Sequence, residues 1–296
     1  MNNNYKRTIF SWSIYDFANQ PFTTIILTFI YSTFFVDFIA PSGELGTVMW
    51  GRAVAISSLV IALLSPIMGA IADNGGYRKI FLIFWTWVCV IFSILLYFPL
   101  KGEVILALSF FCIANIGFEM GGVFLNAYLP EIAPKEKIGR ISGYGWSFGY
   151  VGGLIALAVS FILFISPENP VNPLNGKLLN LDSGEHIRMI NILIGIWFAV
   201  FSIPTFLFLK DKDKNNTLNN RELIKSAFIS LNKTFKKLSI NDNIINVETG
   251  VMLGHMVKNA INDGLGIIHY TGHGDTDVDS HKSLPIIKHS RYSSRS

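Results

Sequence analysis

Six long apolar runs, all of them before Lys210, constrain this chain more than any other feature. A helix needs about 20 consecutive, mostly apolar residues to cross a hydrocarbon layer roughly 30 Å thick. The runs cover residues 8–40, 48–72, 80–100, 104–129, 142–165 and 187–209. Each is long enough to span, some with tilt, and no run of that length follows them. Of all residues 51% are apolar and 15% charged, and the apolar ones come in unbroken stretches instead of the short alternation of a soluble core. The chain is therefore expected to be an all-α membrane protein. The first run follows Lys6 and Arg7, but it is too long for a signal peptide. It also contains Asp16, and no small-residue cleavage site follows it, so it is a spanning helix. Cys89 and Cys112 both fall inside runs, where a free thiol serves as a small apolar side chain.

Basic residues set the orientation, because Lys and Arg in short loops stay cytoplasmic. Lys6 and Arg7, then Arg78 and Lys79, then Lys135, Lys137 and Arg140, then Lys210, Lys212, Lys214 and Arg221 occupy alternate breaks. The other loops carry little more than Lys101, Lys177 and Arg188. This predicts a multi-pass protein of the cell (plasma or inner) membrane with both its N-terminus and its tail cytoplasmic. The net charge of +4 follows from the same bias. The expected partner is thus the lipid bilayer, with no nucleic acid.

A charged side chain at mid-bilayer costs roughly 2.5–3.5 kcal/mol on insertion scales, so each should face a cavity or a partner. In the first run Asp16, Asn19, Gln20 and Thr23 are spaced to share one helical stripe. Pro21 lies among them; it lacks a backbone N–H and frees a carbonyl, which protein or water must receive. In the fourth run Asn115, Glu119 and Asn126 share a face, beside Gly117 and Gly121. Asp16, Asn19, Gln20, Glu119 and Asn126 are the candidates for lining a solute path, and Asp16 or Glu119 is suited to exchanging a proton. Asn115 and Thr23 read as interhelical hydrogen-bonding groups. Asp37 and Arg52 lie near helix ends, where their side chains reach the headgroups. Gly145, Gly149 and Gly153 recur every four residues and let a neighbouring helix approach closely.

The segment GAIADNGGYRK, residues 69–79, resembles the signature loop of the major facilitator superfamily. In that family the glycine allows close helix contact, the acid caps a helix end and pairs with basic groups, and the basic pair anchors the loop. The resemblance places Gly69, Asp73, Arg78 and Lys79 in those roles, as a gate. SWSIYDFANQPF at 11–22 and FLNAYLPEIAPKEKIGRISGYGWSFGYVGG at 124–153 look like the vacuolar amino-acid effluxer-like branch. The likeness extends over about residues 5–238. It implies gradient-driven secondary transport of a small solute, amino acids included, with no cofactor and no catalytic residues. No Gly-Lys-Ser/Thr phosphate loop is present to suggest an ATP-driven pump. It further implies that residues 1–210 form the N-terminal half of a twelve-span fold whose site lies between the halves.

Residues 211–240 resemble the cytoplasmic linker that joins such halves, and a seventh span is expected next. Residues 241–296 instead form a polar tail with five of the six histidines, all beyond Gly254. Part of it, 259–275, resembles the catalytic-histidine loop of gingipain-type cysteine peptidases, with His273 as base. A thiolate would be required, and no cysteine follows Cys112. His269 and His273 have the spacing of a helical metal pair, but Gly272 and Gly274 oppose a helix there, so no metal is assigned. The tail is expected to be a solvated extension from a fused or frameshifted reading frame. The alternatives are a membrane-anchored peptidase fragment, a non-functional truncated product, or a homodimer that completes the two-half fold.

Overall fold

The computed structural model describes residues 3–210, apart from the side chains of residues 3, 4, 70 and 73–75. The expected linker and the tail with His269 and His273 lie outside the described residues.

Pro21 shapes the first span. α1 (Asn3–Pro21) cannot continue its regular ladder past a residue with no N–H, and the next stretch, Phe22–Phe29, takes wider π-helical turns. The Ile30 N–H accordingly reaches the carbonyl five residues back, on Ile25, at 2.9 Å. α2 (Tyr31–Phe34) and a second wide stretch, Phe35–Ile39, complete a span of 35 residues, Tyr5–Ile39. The chain turns into α3 (Gly43–Gly75), whose N-terminus is capped by the Ser42 side chain accepting from the Leu45 N–H. That cap starts the helix ahead of the apolar run at 48. Gly76, at φ 69°, closes α3 in a left-handed conformation that suits glycine.

α4 (Arg78–Leu95) stops short of the expected residue 100. Pro99 disfavours helix in the residue before it. The carbonyls of Leu96 and Tyr97 are taken from outside, by Asn191 Nδ2 at 3.4 Å and Arg188 Nη1 at 2.8 Å. α5 (Val104–Asn126), the short α6 (Leu129–Ile132), α7 (Ile138–Ser160) with its π-helical end Phe161–Ile165, and α8 (Glu185–Phe208) follow. The described residues thus contain six helices long and apolar enough to cross a membrane, the number the sequence predicts.

The packing pattern has an internal symmetry. α1 packs on α7 and α8, α5 packs on α3 and α4, and α4 and α8 meet each other. Exchanging the first span with the fourth, the second with the fifth and the third with the sixth maps these contacts onto themselves. Because successive spans run in opposite directions, the two three-helix units are inverted repeats. Trp12, Tyr15, Phe22, Tyr31, Phe111 and Phe198 fill the interior, while Leu59, Leu63, Leu154 and Ile162 are each more than 60% exposed on the flanks. In water such flanks would be a liability; in hydrocarbon they are the solvated surface.

Candidate functional site

Four polar contacts fix the first span within the bundle. Pro21 leaves the Phe17 carbonyl without its helical donor, and the Trp197 indole N–H of α8 supplies one at 3.2 Å. The two rings stack, with centroids 5.3 Å apart. One turn earlier the Trp12 indole donates to the Leu125 carbonyl of α5 at 2.9 Å. Tyr15 and Thr86 of α4 share a 2.6 Å hydroxyl–hydroxyl bond, and the Thr205 hydroxyl donates to the Ser11 carbonyl at 2.6 Å. Each buried donor or acceptor would cost about 1–3 kcal/mol if left unpaired, so this set specifies how α1 is rotated.

That rotation turns Asp16 and Gln20 toward α7. Gly145, Gly149, Gly152 and Gly153 are all buried against α1. A Cβ at Gly145 would collide with the Asp16 carboxylate, one at Gly149 would lie 3.4 Å from the Asp16 Cβ, and one at Gly153 would lie 2.8 Å from the Thr24 hydroxyl and 3.5 Å from the Gln20 stem. The tightest approach falls off the four-residue repeat, at Gly152, where a Cβ would run into the Phe17 carbonyl oxygen. The carbonyl that Pro21 frees is therefore covered from one side by Trp197 and from the other by a glycine. Asp16 is half-buried in this seam. Among the described residues no hydrogen bond or ion pair reaches its carboxylate.

The other path candidates are placed separately. Asn19 and Thr23 are buried, and the Thr23 hydroxyl has no hydrogen-bond partner among the described residues. Asn115 donates to the Ser57 hydroxyl of α3 at 2.9 Å, the interhelical bond its position suggests. Glu119 is half-buried on the same face of α5, and Asn126 is the exposed last residue of that helix. The first and fourth spans meet through Trp12 with Leu125, Tyr15 with Gly121, and stacked Phe22 and Phe118 at 5.1 Å. Tyr15 and Phe22 occupy a face of α1 other than the one bearing Asp16 and Gln20, whereas the Trp12 ring lies beside Asp16 against Gly145 as well.

At the loop expected to act as a gate, Arg78 Nη1 lies 2.6 Å from Glu131 Oε1 and also donates to the Ala127 carbonyl at 3.4 Å. The start of the third span is thereby tied to the turn after the fourth. Glu131 escaped the sequence reading; its signal was a carboxylate placed just ahead of the basic run Lys135, Lys137 and Arg140 on the same side of the membrane. Lys79 is half-buried beside Arg78. Asp73 lies in the last turn of α3, with its side chain outside the described residues. A Cβ at Gly69 would meet nothing within 4 Å among the described residues, so no described span packs closely on this glycine. Among the described residues no three His, Cys, Asp or Glu side chains gather as a metal site would require.

A model of the vacuole effluxer Atg22-like family matches residues 47–246. The chain belongs to that family. The Atg22-like match starts within α3, so the polar stripe of the first span lies ahead of it. Among curated relatives, the MFS-type transporter YxiO of Bacillus subtilis is 25% identical over 77% of this chain and 52% of its own length. Autophagy-related protein 22 of Coccidioides immitis is 23% identical over 53% of this chain and 33% of its own length. The chain thus spans about half, or less, of the relatives it matches. The inward-open xylose transporter XylE from E. coli shares the fold, with a TM-score of 0.52 at 17% identity, over 88% of this chain and 57% of XylE. This Atg22-like chain is accordingly a multi-pass membrane protein of the major facilitator type. The likeness of 259–275 to a peptidase loop falls outside the described residues, and these matches give it no support.

Proposed function

We propose that the chain works in gradient-driven secondary transport of a small solute, amino acids among the candidates, across the cell membrane. The observation that carries this reading is Asp16, a carboxylate within a membrane span, packed against a glycine face and without a hydrogen bond or ion pair among the described residues. Retaining such a group for packing alone is costly, and a group that binds and releases a proton or a cationic solute repays that cost. Gln20 and Asn19 extend the polar track along α1, and Glu119 and Asn126 line the face of α5. The Arg78–Glu131 pair, with Gly69, Asp73 and Lys79 nearby in sequence, serves as the latch at the cytoplasmic end. That placement rests on the Lys and Arg asymmetry of the loops.

A second six-helix unit completes the path. Halves of this architecture are parallel repeats, so a second copy in the same orientation is a geometrically permitted partner. Cross-linking in membranes tests it, and strictly monomeric protein would rule that partner out. The transport reading is tested in proteoliposomes, with amino acids and other small solutes presented under an imposed pH gradient. Asp16→Asn is expected to abolish solute-coupled proton movement while solute exchange persists. Undiminished proton-coupled uptake by Asp16→Asn would overturn the role given to this residue.

A further inference from the structure

At the end of the bundle that carries the N-terminus, the start of α1, the end of α8 and α6 enclose a recess of about 350 Å³. Arg7, Thr8, Ile132, Leu207, Phe208 and Lys210 line it. Two of these six side chains are cations and none is acidic. Among the described residues no carboxylate forms an ion pair with Arg7 or Lys210. The Arg7 guanidinium lies over the Phe208 ring, 4.2 Å from its centroid. That contact holds the plane of the cation while leaving its N–H edges free to donate. Leu207 is 62% exposed on the hydrocarbon-facing flank, so the recess continues onto apolar surface.

We infer that this recess binds the phosphate of an anionic phospholipid. Arg7 and Lys210 hold the phosphate oxygens, and Ile132, Leu207 and Phe208 take the glycerol and the upper acyl chain. Free phosphate offers the same charge but would leave the three apolar walls unused; a membrane anion with a chain attached satisfies both. Basic pockets between span ends at the cytoplasmic level are suited to such headgroups. The placement at a membrane interface rests on reading these helices as spans. Whether the leaflet is the cytoplasmic one rests on the orientation proposed above.

The test is native mass spectrometry of the full chain released from nanodiscs of phosphatidylcholine doped with phosphatidylglycerol. Nanodiscs expose both faces, so an error in orientation leaves the outcome unaffected. The chain is expected to retain phosphatidylglycerol over phosphatidylcholine. Arg7→Gln or Lys210→Gln should each weaken retention about fivefold, and the pair together roughly thirtyfold. Arg7→Lys should keep most of it, and Lys177→Gln in the distant loop all of it. Melting in lipid-free detergent shows separately whether a variant has unfolded. Equal retention of the two lipids, or of phosphatidylglycerol by the double variant, would overturn the inference. Release of the lipid by millimolar inorganic phosphate, with phosphate bound in its place, would assign the recess to a soluble anion instead.

Discussion

Two arginines, one at each end of the bundle, are held in opposite ways. Arg78 is paired with Glu131 at 2.6 Å, and both side chains keep about a fifth of their surface in contact with solvent. Arg188 is 6% exposed and gives its Nη1 proton to the Tyr97 carbonyl at 2.8 Å, with its guanidinium 5.2 Å from the centroid of the same residue's ring. Close by, Glu185 accepts from the Tyr97 hydroxyl at 2.9 Å and from the Asn180 N–H at 3.0 Å. The first arrangement joins two loops by charge, and water can replace either partner at little cost. The second caps the C-terminus of α4 with a buried cation, whose removal would leave the Tyr97 carbonyl without this donor. The first kind of contact breaks at little cost, and the second holds the end of α4 against the start of α8.

Arg188→Ala should break the comparison most severely. Removing a buried charged donor and leaving the Tyr97 carbonyl unpaired is expected to cost about 3 kcal/mol, seen as a lower melting temperature in detergent; a neutral result would mean that α4 needs no such cap. Gly152→Ala comes next, at about 2 kcal/mol, because the new methyl must push α7 away from the Phe17 carbonyl. A crystal or cryo-electron structure of a stable Gly152→Ala protein with unchanged α1–α7 spacing would contradict that account. Trp197→Phe should cost about 1 kcal/mol by orphaning the same carbonyl. This cost should shrink when Pro21→Ala restores the helical donor. A double-mutant cycle with no coupling between Pro21 and Trp197 would show that the indole is not the replacement for the missing N–H. The smallest stability change belongs to the Arg78–Glu131 pair. Arg78→Ala and Glu131→Gln should each lower stability by less than about 1 kcal/mol. Both should nevertheless raise the labelling rate of a cysteine placed where the start of α4 meets the end of α5, and combining them should add nothing further.

Much of the fold was legible because a bilayer admits few solutions. Runs of about 20 apolar residues must be helices, as hydrocarbon offers no partner for an exposed backbone N–H or carbonyl. The need for something to receive the Phe17 carbonyl was likewise legible from Pro21, but its receiver was not. Trp197 lies 180 residues away, and no periodicity connects the two. The glycine pattern pointed to a close seam on α7 and drew attention to Gly145, Gly149 and Gly153. The closest contact came at Gly152 because the rotation of α1, set by Trp12, Tyr15 and Thr205, aims the freed carbonyl there. The motif around Arg78 pointed to this corner of the bundle without naming Glu131, since loops between different spans come together only when the spans pack.

The sequence by itself determined that six runs before Lys210 are able to span a membrane, where the costly polar groups lie along those runs, and where the first helix must lose its regular ladder. Those properties are local: each follows from the length of an apolar run, the spacing of residues on one helix, or the missing proton of one proline. Only the tertiary structure decided that Asp16 faces glycines, that Arg78 pairs with Glu131 and that Arg188 caps α4. Each of these depends on the rotation of one helix against another, and that rotation is fixed by buried hydrogen bonds between residues up to 194 positions apart.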